Sequence, residues 1–300
     1  MINDSFQLDI KDLFVELWQK KLFIIVFSGL FSVAGVLFSL SLPNIYKAEV
    51  LLAPNSADSQ MQNLAGQLGG IAALTGISMG GGQSDKTAFG LEVLRSRAFA
   101  DRFIQSRDIL VPLMAIESWD ASTNTVVIDP TLFDSEAEQW VREVKAPKEA
   151  KPSAWEAFKV FSENLTYERN SDSGFVRISY TSQSPYLAQQ WLAWLVDDLN
   201  LWMKTYDTRE IKNNIFYLNQ QLKETNIAEM HKIFYQLIEE QTKKLMLAEA
   251  QAEYAFKIVD PAIVPEEKSS PRRALICILF SFFGGIMSVV LVLLNVIRKK

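Results

Sequence analysis

The stretch from Leu275 to Ile297, LICILFSFFGGIMSVVLVLLNVI, runs 23 residues without a charge. At a rise of about 1.5 Å per residue it reaches roughly 34 Å as a helix, enough to cross a bilayer. A second run, Leu22 to Leu42, LFIIVFSGLFSVAGVLFSLSL, holds 21 uncharged residues, with Lys20 and Lys21 before it and Pro43 after it. These runs predict transmembrane helices over 22–42 and 275–297 with a large domain between them.

Charge sets the expected orientation. Lys11, Lys20 and Lys21 precede the first run, and Arg298, Lys299 and Lys300 follow the second. Short basic tails stay in the cytoplasm. The tails 1–21 and 298–300 are therefore expected inside, and residues 43–271 outside. Lys268, Arg272 and Arg273 oppose this assignment, but a long translocated segment weakens their vote and the first helix usually dominates. The first run is too long for a signal peptide, follows four acids and lacks an A-x-A site, so it reads as an uncleaved anchor. Phe6, Ile10, Leu13, Phe14, Leu17 and Trp18 recur at helical spacing. That segment either lies along the inner interface or continues the first span.

Residues 43–271 hold 22 of the 30 basic and 31 of the 35 acidic residues, a net of −9. This disfavours a nucleic-acid partner, which needs a basic face, and none is expected. The single cysteine, Cys277, lies inside the second run. A cysteine-free domain suits an oxidising compartment.

Ile45 to Leu52 alternates, with Tyr46, Ala48, Val50 and Leu52 facing one way and Lys47 and Glu49 the other, which reads as a strand starting at the membrane. Asn55 to Ser84 is polar and Gly-rich, with a short helix expected around Met61–Leu68 and a loop after it. Ala88–Ser106 reads as one helix with Leu91, Leu94, Ala98, Phe99 and Phe103 on one face. Ile109–Met114 and Thr123–Asp129 read as strands, and Lys145–Pro152 as a charged linker. Ser153–Leu165 reads as a helix, and Thr166–Arg169 with Phe175–Tyr180 as a hairpin around Asn170–Gly174. The fold class is α+β, with an α/β base over 43–184.

Ser184 and Pro185 form a helix start. Ala188, Leu192, Leu195, Leu199, Trp202 and Tyr206 follow at coiled-coil spacing, and the seam resumes at Ile211, Ile215, Leu218 and Leu222. A second helix points Met230, Phe234, Leu237, Leu245, Ala248 and Ala252 inward. This predicts an antiparallel helical hairpin over 185–254, projecting from the base, with arms of roughly 58 and 40 Å. A Pro-rich strap over 255–274, carrying Asp260, Pro261, Pro265, Pro271 and Arg272, then leads to the second span.

Catalytic patterns are weak. Gly80 to Thr87 imitates a phosphate-binding loop, but Asp85 replaces the required glycine, so a flexible loop is the better reading. The only histidine, His231, sits at the hairpin tip without cysteines nearby, which excludes a His/Cys metal site. Asp197-Asp198 and Glu239-Glu240 diverge on their helices and read as solvated faces. No enzyme activity, cofactor or metal is expected. Trp191, Trp194 and Trp202 point in several directions, so Trp191, Leu195, Leu199 and Trp202 are expected to pack the hairpin or a neighbouring subunit. Trp191, Trp194 and Trp202 could instead stack on sugar rings. Ser281, Gly284, Gly285 and Ser288 are small residues in the second span. They suit close helix packing, against Ser28 and Ser32 of the first span or against another membrane protein.

Glu253-Tyr-Ala-Phe-Lys-Ile-Val-Asp260-Pro-Ala, then Pro265, Ser270-Pro-Arg-Arg273 and a span with Gly284-Gly285, resembles the Wzz-type polysaccharide co-polymerases, the O-antigen chain-length determinants. Asp9-x-x-Asp-Leu, Tyr46–Leu52 and Leu94-Arg-Ser96 agree in order. The resemblance implies a two-pass bacterial inner-membrane protein with a periplasmic domain, assembled as a ring-like homo-oligomer. It implies work with a Wzy-type polymerase to set the modal length of O-antigen or a related surface polysaccharide, with the growing glycan a further candidate partner beside membrane lipid. Some relatives fuse a cytoplasmic tyrosine kinase after the second span; the end at Lys300 leads us to expect none here. An alternative is a membrane adaptor for a separate kinase or exporter in capsule or exopolysaccharide production. A membrane sensor is disfavoured by the short inner tails.

Overall fold

A computed structural model describes residues 17–55 and 82–299. The amphipathic segment through Phe14, the Asp9-x-x-Asp-Leu motif, the helix expected at Met61–Leu68 and Gly80-Gly81 lie outside the described residues. The chain divides into two units, residues 46–266 and residues 1–45 with 267–300.

The larger unit is built on β1 (Tyr46–Pro54). Its partners are β6 (Leu165–Arg169), β7 (Val176–Ser182) and β8 (Phe256–Asp260), in the antiparallel order β6-β7-β1-β8. The register pairs Ala48 with Tyr180, Val50 with Ile178 and Leu52 with Val176. All six are buried, so the alternation in β1 places one face in the core. The β6–β7 turn is fixed by Asn170, whose Oδ1 accepts from the N–H groups of Asp172 and Ser173, and by Gly174 at φ +72°.

Between β1 and β6 lie α2 (Gly82–Arg95), α3 (Arg97–Ser106), α4 (Leu110–Met114), β2 (Ile116–Asp120), β3 (Thr125–Ile128), β4 (Phe133–Asp134), β5 (Gln139–Trp140) and α5 (Ala154–Asn164). Three expectations need correction here. The single helix over 88–106 starts earlier and breaks at Ser96, whose extended backbone and Oγ, accepting from Phe99 N at 3.2 Å, cap α3. Phe99, Ala100, Phe103 and Ile104 are then buried while Ala98 faces solvent. The apolar run at 109–114 is a helix, not a strand. Pro112 sits in its first turn, where a missing N–H costs nothing, whereas a strand interior would lose a ladder bond. Gly82 to Thr87, expected as loop, belongs to α2.

An aromatic chain joins the layers. Phe103 meets Phe161 at 5.5 Å, Phe161 meets Tyr180 at 5.5 Å, and Tyr180 meets Trp191 at 5.6 Å between ring centroids. Burial pushes the pKa of the Tyr180 phenol well up.

The expected charged linker is organised by a nearly buried ion pair. Arg142 donates to Glu156 Oε2 at 2.6 Å and to the carbonyls of Ala150 and Glu149 at 2.6 and 3.1 Å. Glu156 closes a capping box with Ser153. Arg142, then Lys148 and the Ser153 N–H, hold the Glu156 carboxyl at about 2, below its ordinary 4.5. A depressed carboxylate stabilises the fold fully above its unfolded pKa and loses that contribution as pH falls through the folded value. Glu156→Gln is thus expected to cost about 1–2 kcal/mol at neutral pH, discounted because Lys148 is solvated. Urea titrations from pH 5 down to about 2 should show the wild type approaching the variant's stability. Parallel acid limbs would contradict this.

The helix α6 (Pro185–Glu224) begins at the Ser184 cap, as the sequence predicts, and has two roles. Its first half lies across β1 and β7, burying Trp191, Leu192, Leu195, Val196, Leu199 and Met203. This corrects the expectation that the whole arm stands clear of the base. Only the second half pairs with α7 (Ala228–Ala250), through half-buried Ile211, Ile215, Leu218 and Leu222 against Met230, Phe234, Ile238 and Leu245, with Ala248 fully buried. Ile238 takes the place expected for Leu237, which is exposed, and Ala252 lies past the helix end. At the tip, the His231 ring nitrogen contacts Thr225 O at 2.6 Å, at the end of α6. Glu239 and Glu240 pair with Lys243 and Lys244, but Asp198 departs from the expected solvated face to bind Arg107 at 2.6 Å.

The smaller unit contains α1 (Lys21–Ser41) and α8 (Arg273–Lys299), packed against one another. Both are long and apolar enough to cross a membrane, and most of their side chains face outward. In water such a surface would be untenable.

Candidate functional site: paired spans and a clamped strap

The contact between α1 and α8 is reciprocal. Gly284 lies under Phe31: a Cβ added there would come within 2.5 Å of the Phe31 Cβ. Gly35 lies under Phe280, where an added Cβ would meet Phe280 Cβ at 2.6 Å. Each missing side chain admits a ring from the other helix. Between these points Ser32 Oγ and Ser281 Oγ are 2.7 Å apart, and Ser28 Oγ donates to Ser281 O at 3.2 Å. Lipid supplies no hydrophobic drive between helices, so close fit and hydrogen bonds must hold them.

Ser281 and Gly284 therefore face α1. Gly285 sits at the margin, where an added Cβ would lie 3.9 Å from Ser28 Oγ. Ser288 is fully buried and returns its hydroxyl to Gly285 O at 2.7 Å. The sequence reading missed Gly35, although Ser28, Ser32 and Gly35 are spaced on one helical face.

The chain ends entering the two spans are tied together. Ile45 N donates to Ser270 O at 2.9 Å, and Ser269 N to Ile45 O at 2.8 Å. Asn44 Oδ1 accepts from Arg273 at 3.1 Å and Lys268 at 3.4 Å. Pro271 is half-buried and Arg272 exposed; it is Arg273, not Arg272, that makes the side-chain bond.

In the larger unit, the stretch expected as the start of the strap is strand β8, paired with the end of β1. Asp260 closes that pairing opposite Leu51, and beyond Pro261 the Ala262 carbonyl accepts from Gln189 at 3.2 Å. Pro265 is half-buried. Two asparagines hold the turn from α7 into β8. Asn200, 5% exposed, accepts from the N–H groups of Ala255 and Phe256, both at 2.9 Å, and donates to Phe256 O at 3.0 Å. Asn55 donates to Glu253 O at 2.8 Å and Tyr254 O at 3.2 Å. Lys204 adds bonds to the carbonyls of Glu249 and Gln251. The only sequence signal for Asn200 is a polar residue between Leu199 and Leu201.

The residues expected to pack the hairpin or another subunit divide differently. Trp191, Leu195 and Leu199 belong to the base core, each at most 3% exposed, which reassigns them to the sheet. Trp202 stacks on Tyr206 at 5.3 Å and meets Phe89 of α2 at 5.9 Å. Trp194 lies under the Arg107 guanidinium at 5.1 Å. Among the described residues, no group of three His, Cys, Asp or Glu side chains is placed to hold a metal.

Two family models match the sequence: Wzz, chain length determinant protein, over residues 7–107, and GNVR, G-rich domain on putative tyrosine kinase, over residues 220–297. No curated protein matches it. Among solved structures, a full-length bacterial polysaccharide co-polymerase is similar at 14% identity, over 97% of this chain and 99% of that one, with a TM-score of 0.47. A fragment of WzzB, a polysaccharide co-polymerase from Salmonella Typhimurium, is similar at 12% identity, over 76% of this chain and all 100% of the fragment, with a TM-score of 0.37. The Wzz model takes in α1 and β1, and the GNVR model takes in β8, the strap and most of α8, so the chain resembles chain length determinant proteins over the first stretch and the G-rich domain of putative tyrosine kinases over the second.

Proposed function

We propose that this protein sets the modal chain length of O-antigen or a related surface polysaccharide, without catalysis, as an inner-membrane homo-oligomer working with a Wzy-type polymerase. One observation carries the reading. The stretches matched by the two family models are distant in sequence yet pair twice in space, α1 with α8 and β1 with β8. The two matched stretches thus form joint surfaces, one between the apolar helices and one in the sheet. Deleting the gene and running the surface polysaccharide on a gel tests this. A ladder that loses its modal cluster is expected, and an unchanged ladder would reject the reading.

Homo-oligomerisation is supported by the apolar side chains that the hairpin leaves uncovered, among them Leu201, Phe216, Tyr217, Tyr235 and Met246, each more than half exposed. A monomer by light scattering in mild detergent would contradict it.

The basic tails support a cytoplasmic location for both termini and a periplasmic one for residues 43–271. Alkaline phosphatase fused after Asn226, in the hairpin turn, is expected to be active, and fused after Lys300 inactive. The reverse pattern would invert the topology.

A second reading is favoured by the GNVR match, whose description names a putative tyrosine kinase. In it the protein is an adaptor that activates a separate cytoplasmic kinase or exporter. Loss of total polymer on deletion, rather than a change in its length, would select this reading.

A further inference from the structure

The loop between β5 and α5 forms one wall of a groove of about 680 Å3, lined by Lys148, Glu149, Lys151, Trp155, Glu156 and Lys159. The wall is rigid by construction. Arg142 and Glu156, at 13% and 16% side-chain exposure, tie the loop carbonyls of Glu149 and Ala150 to the start of α5. Lys148 adds a bond to Glu156 at 2.9 Å.

On this frame Trp155 stands 59% exposed. Arg97 lies over its ring at 5.7 Å, and Phe158 meets it at 5.9 Å. Trp155 and Lys159 are four residues apart on α5 and so share a face. Lys151 and Lys159 form no ion pair among the described residues, and Glu156 is already compensated by Arg142 and Lys148. Lys151, Lys159 and the Arg97 guanidinium over Trp155 outnumber the one remaining acid, Glu149, so the groove is a local excess of positive charge around an exposed indole, in a domain whose net charge is −9. An apolar ring edged by cations fits a sugar ring that carries a carboxylate: the CH face lies on the indole and the acid meets the ammonium groups.

We propose that this groove binds a uronic-acid-bearing segment of the polysaccharide, with Trp155 as the platform and Lys151 and Lys159 as the carboxylate partners. The proposal rests on the chain-length reading and narrows it to an anionic polymer. Lysine to carboxylate is a screened surface interaction, so binding should weaken with salt.

The test uses the full-length protein in lipid nanodiscs, titrated calorimetrically with oligogalacturonate and with a neutral malto-oligosaccharide of equal length. The acidic glycan is expected to bind and the neutral one not. Lys151→Gln/Lys159→Gln and Trp155→Ala should each weaken binding about tenfold, a loss typical of one stacking or charge contact. Both sites are exposed, so melting temperatures should not change. Equal binding of both glycans, no binding of either, or undiminished binding by both variants would overturn the proposal. So would anionic phosphatidylglycerol vesicles that bind through these lysines while oligogalacturonate does not, which would give the groove to lipid headgroups. The ladder of the gene-deletion strain separates the two readings: if its modal cluster is lost yet oligogalacturonate fails to bind, chain-length control stands and the groove assignment falls.

Discussion

Asn200→Leu is expected to destabilise the larger unit by about 4 kcal/mol, because it strips partners from three backbone groups at once. The N–H groups of Ala255 and Phe256 and the carbonyl of Phe256 all bond this one side chain. Phe256 is fully buried, so water cannot replace the lost bonds there without opening the sheet edge. Leucine keeps the branched outline of asparagine and is no smaller, so the cost arises from unmet polar groups and not from a cavity. In a domain of this size the melting temperature should fall by about 10 °C. Asn55→Ala, at the exposed side of the same turn, should cost much less, about 1 kcal/mol. A fall for Asn200→Leu no larger than for Asn55→Ala would show that β8 is held by its ladder with β1 alone. Since β8 continues into the strap, a loosened variant that still inserts is also expected to broaden the polysaccharide ladder.

That clamp explains why parts of this fold were readable and others not. The alternation of Ala48, Val50 and Leu52 marks a strand with one buried face, and Ser184-Pro185 marks a helix start, because in both cases the local chain carries the whole signal. The strand β8 carries none. Only Phe256 is buried and the next four residues are exposed, so an edge strand held by its neighbours and by Asn200 looks like an irregular strap. The run at 109–114 is apolar enough for either element, and Pro112 was the residue that should have decided it. The long helix shows a further limit. Its 3–4 spacing correctly places Leu192, Leu195 and Leu199 on one stripe, yet spacing does not say what covers a stripe. The sheet covers it up to Met203 and α7 covers it from Ile211, while Trp202 and Tyr206, which also fit the pattern, turn to Phe89. In the spans the small residues of α8 were visible, but their meaning depends on which ring faces each one. Gly284 and Gly285 are adjacent in sequence and only the first lies beneath Phe31.

Gly284→Leu is expected to separate the spans, and Gly285→Leu to leave them nearly in place. The new Cβ at 284 would lie 2.5 Å from the Phe31 Cβ and 3.4 Å from the Ser28 Cα, atoms fixed to the backbone of α1 that no rotamer change can move aside. The helices must part, and the Ser28–Ser281 and Ser32–Ser281 contacts are lost with them. Each such bond contributes only about 0.6 kcal/mol in a membrane, so the packing loss dominates. Gly29→Leu is the control, since nothing lies within 4 Å of a Cβ at that position. Ser32→Cys and Ser281→Cys, introduced with Cys277→Ala, place two thiols where the hydroxyls now stand 2.7 Å apart. Mild oxidation should join them in the parent and in the Gly29→Leu variant, with mass spectrometry reading the linked peptides. The yield should fall about tenfold with Gly284→Leu, as expected if the paired state loses about 1.4 kcal/mol or more. An unchanged yield would mean that α1 and α8 are not held by this contact. A linked product that runs as a dimer would place the partner serine in a second copy of the chain. If pairing of the spans transmits to the polymerase, the same Gly284→Leu variant also loses the modal polysaccharide length while remaining in the membrane fraction. Lost cross-linking with a normal ladder would confine the role of the pair to insertion and assembly.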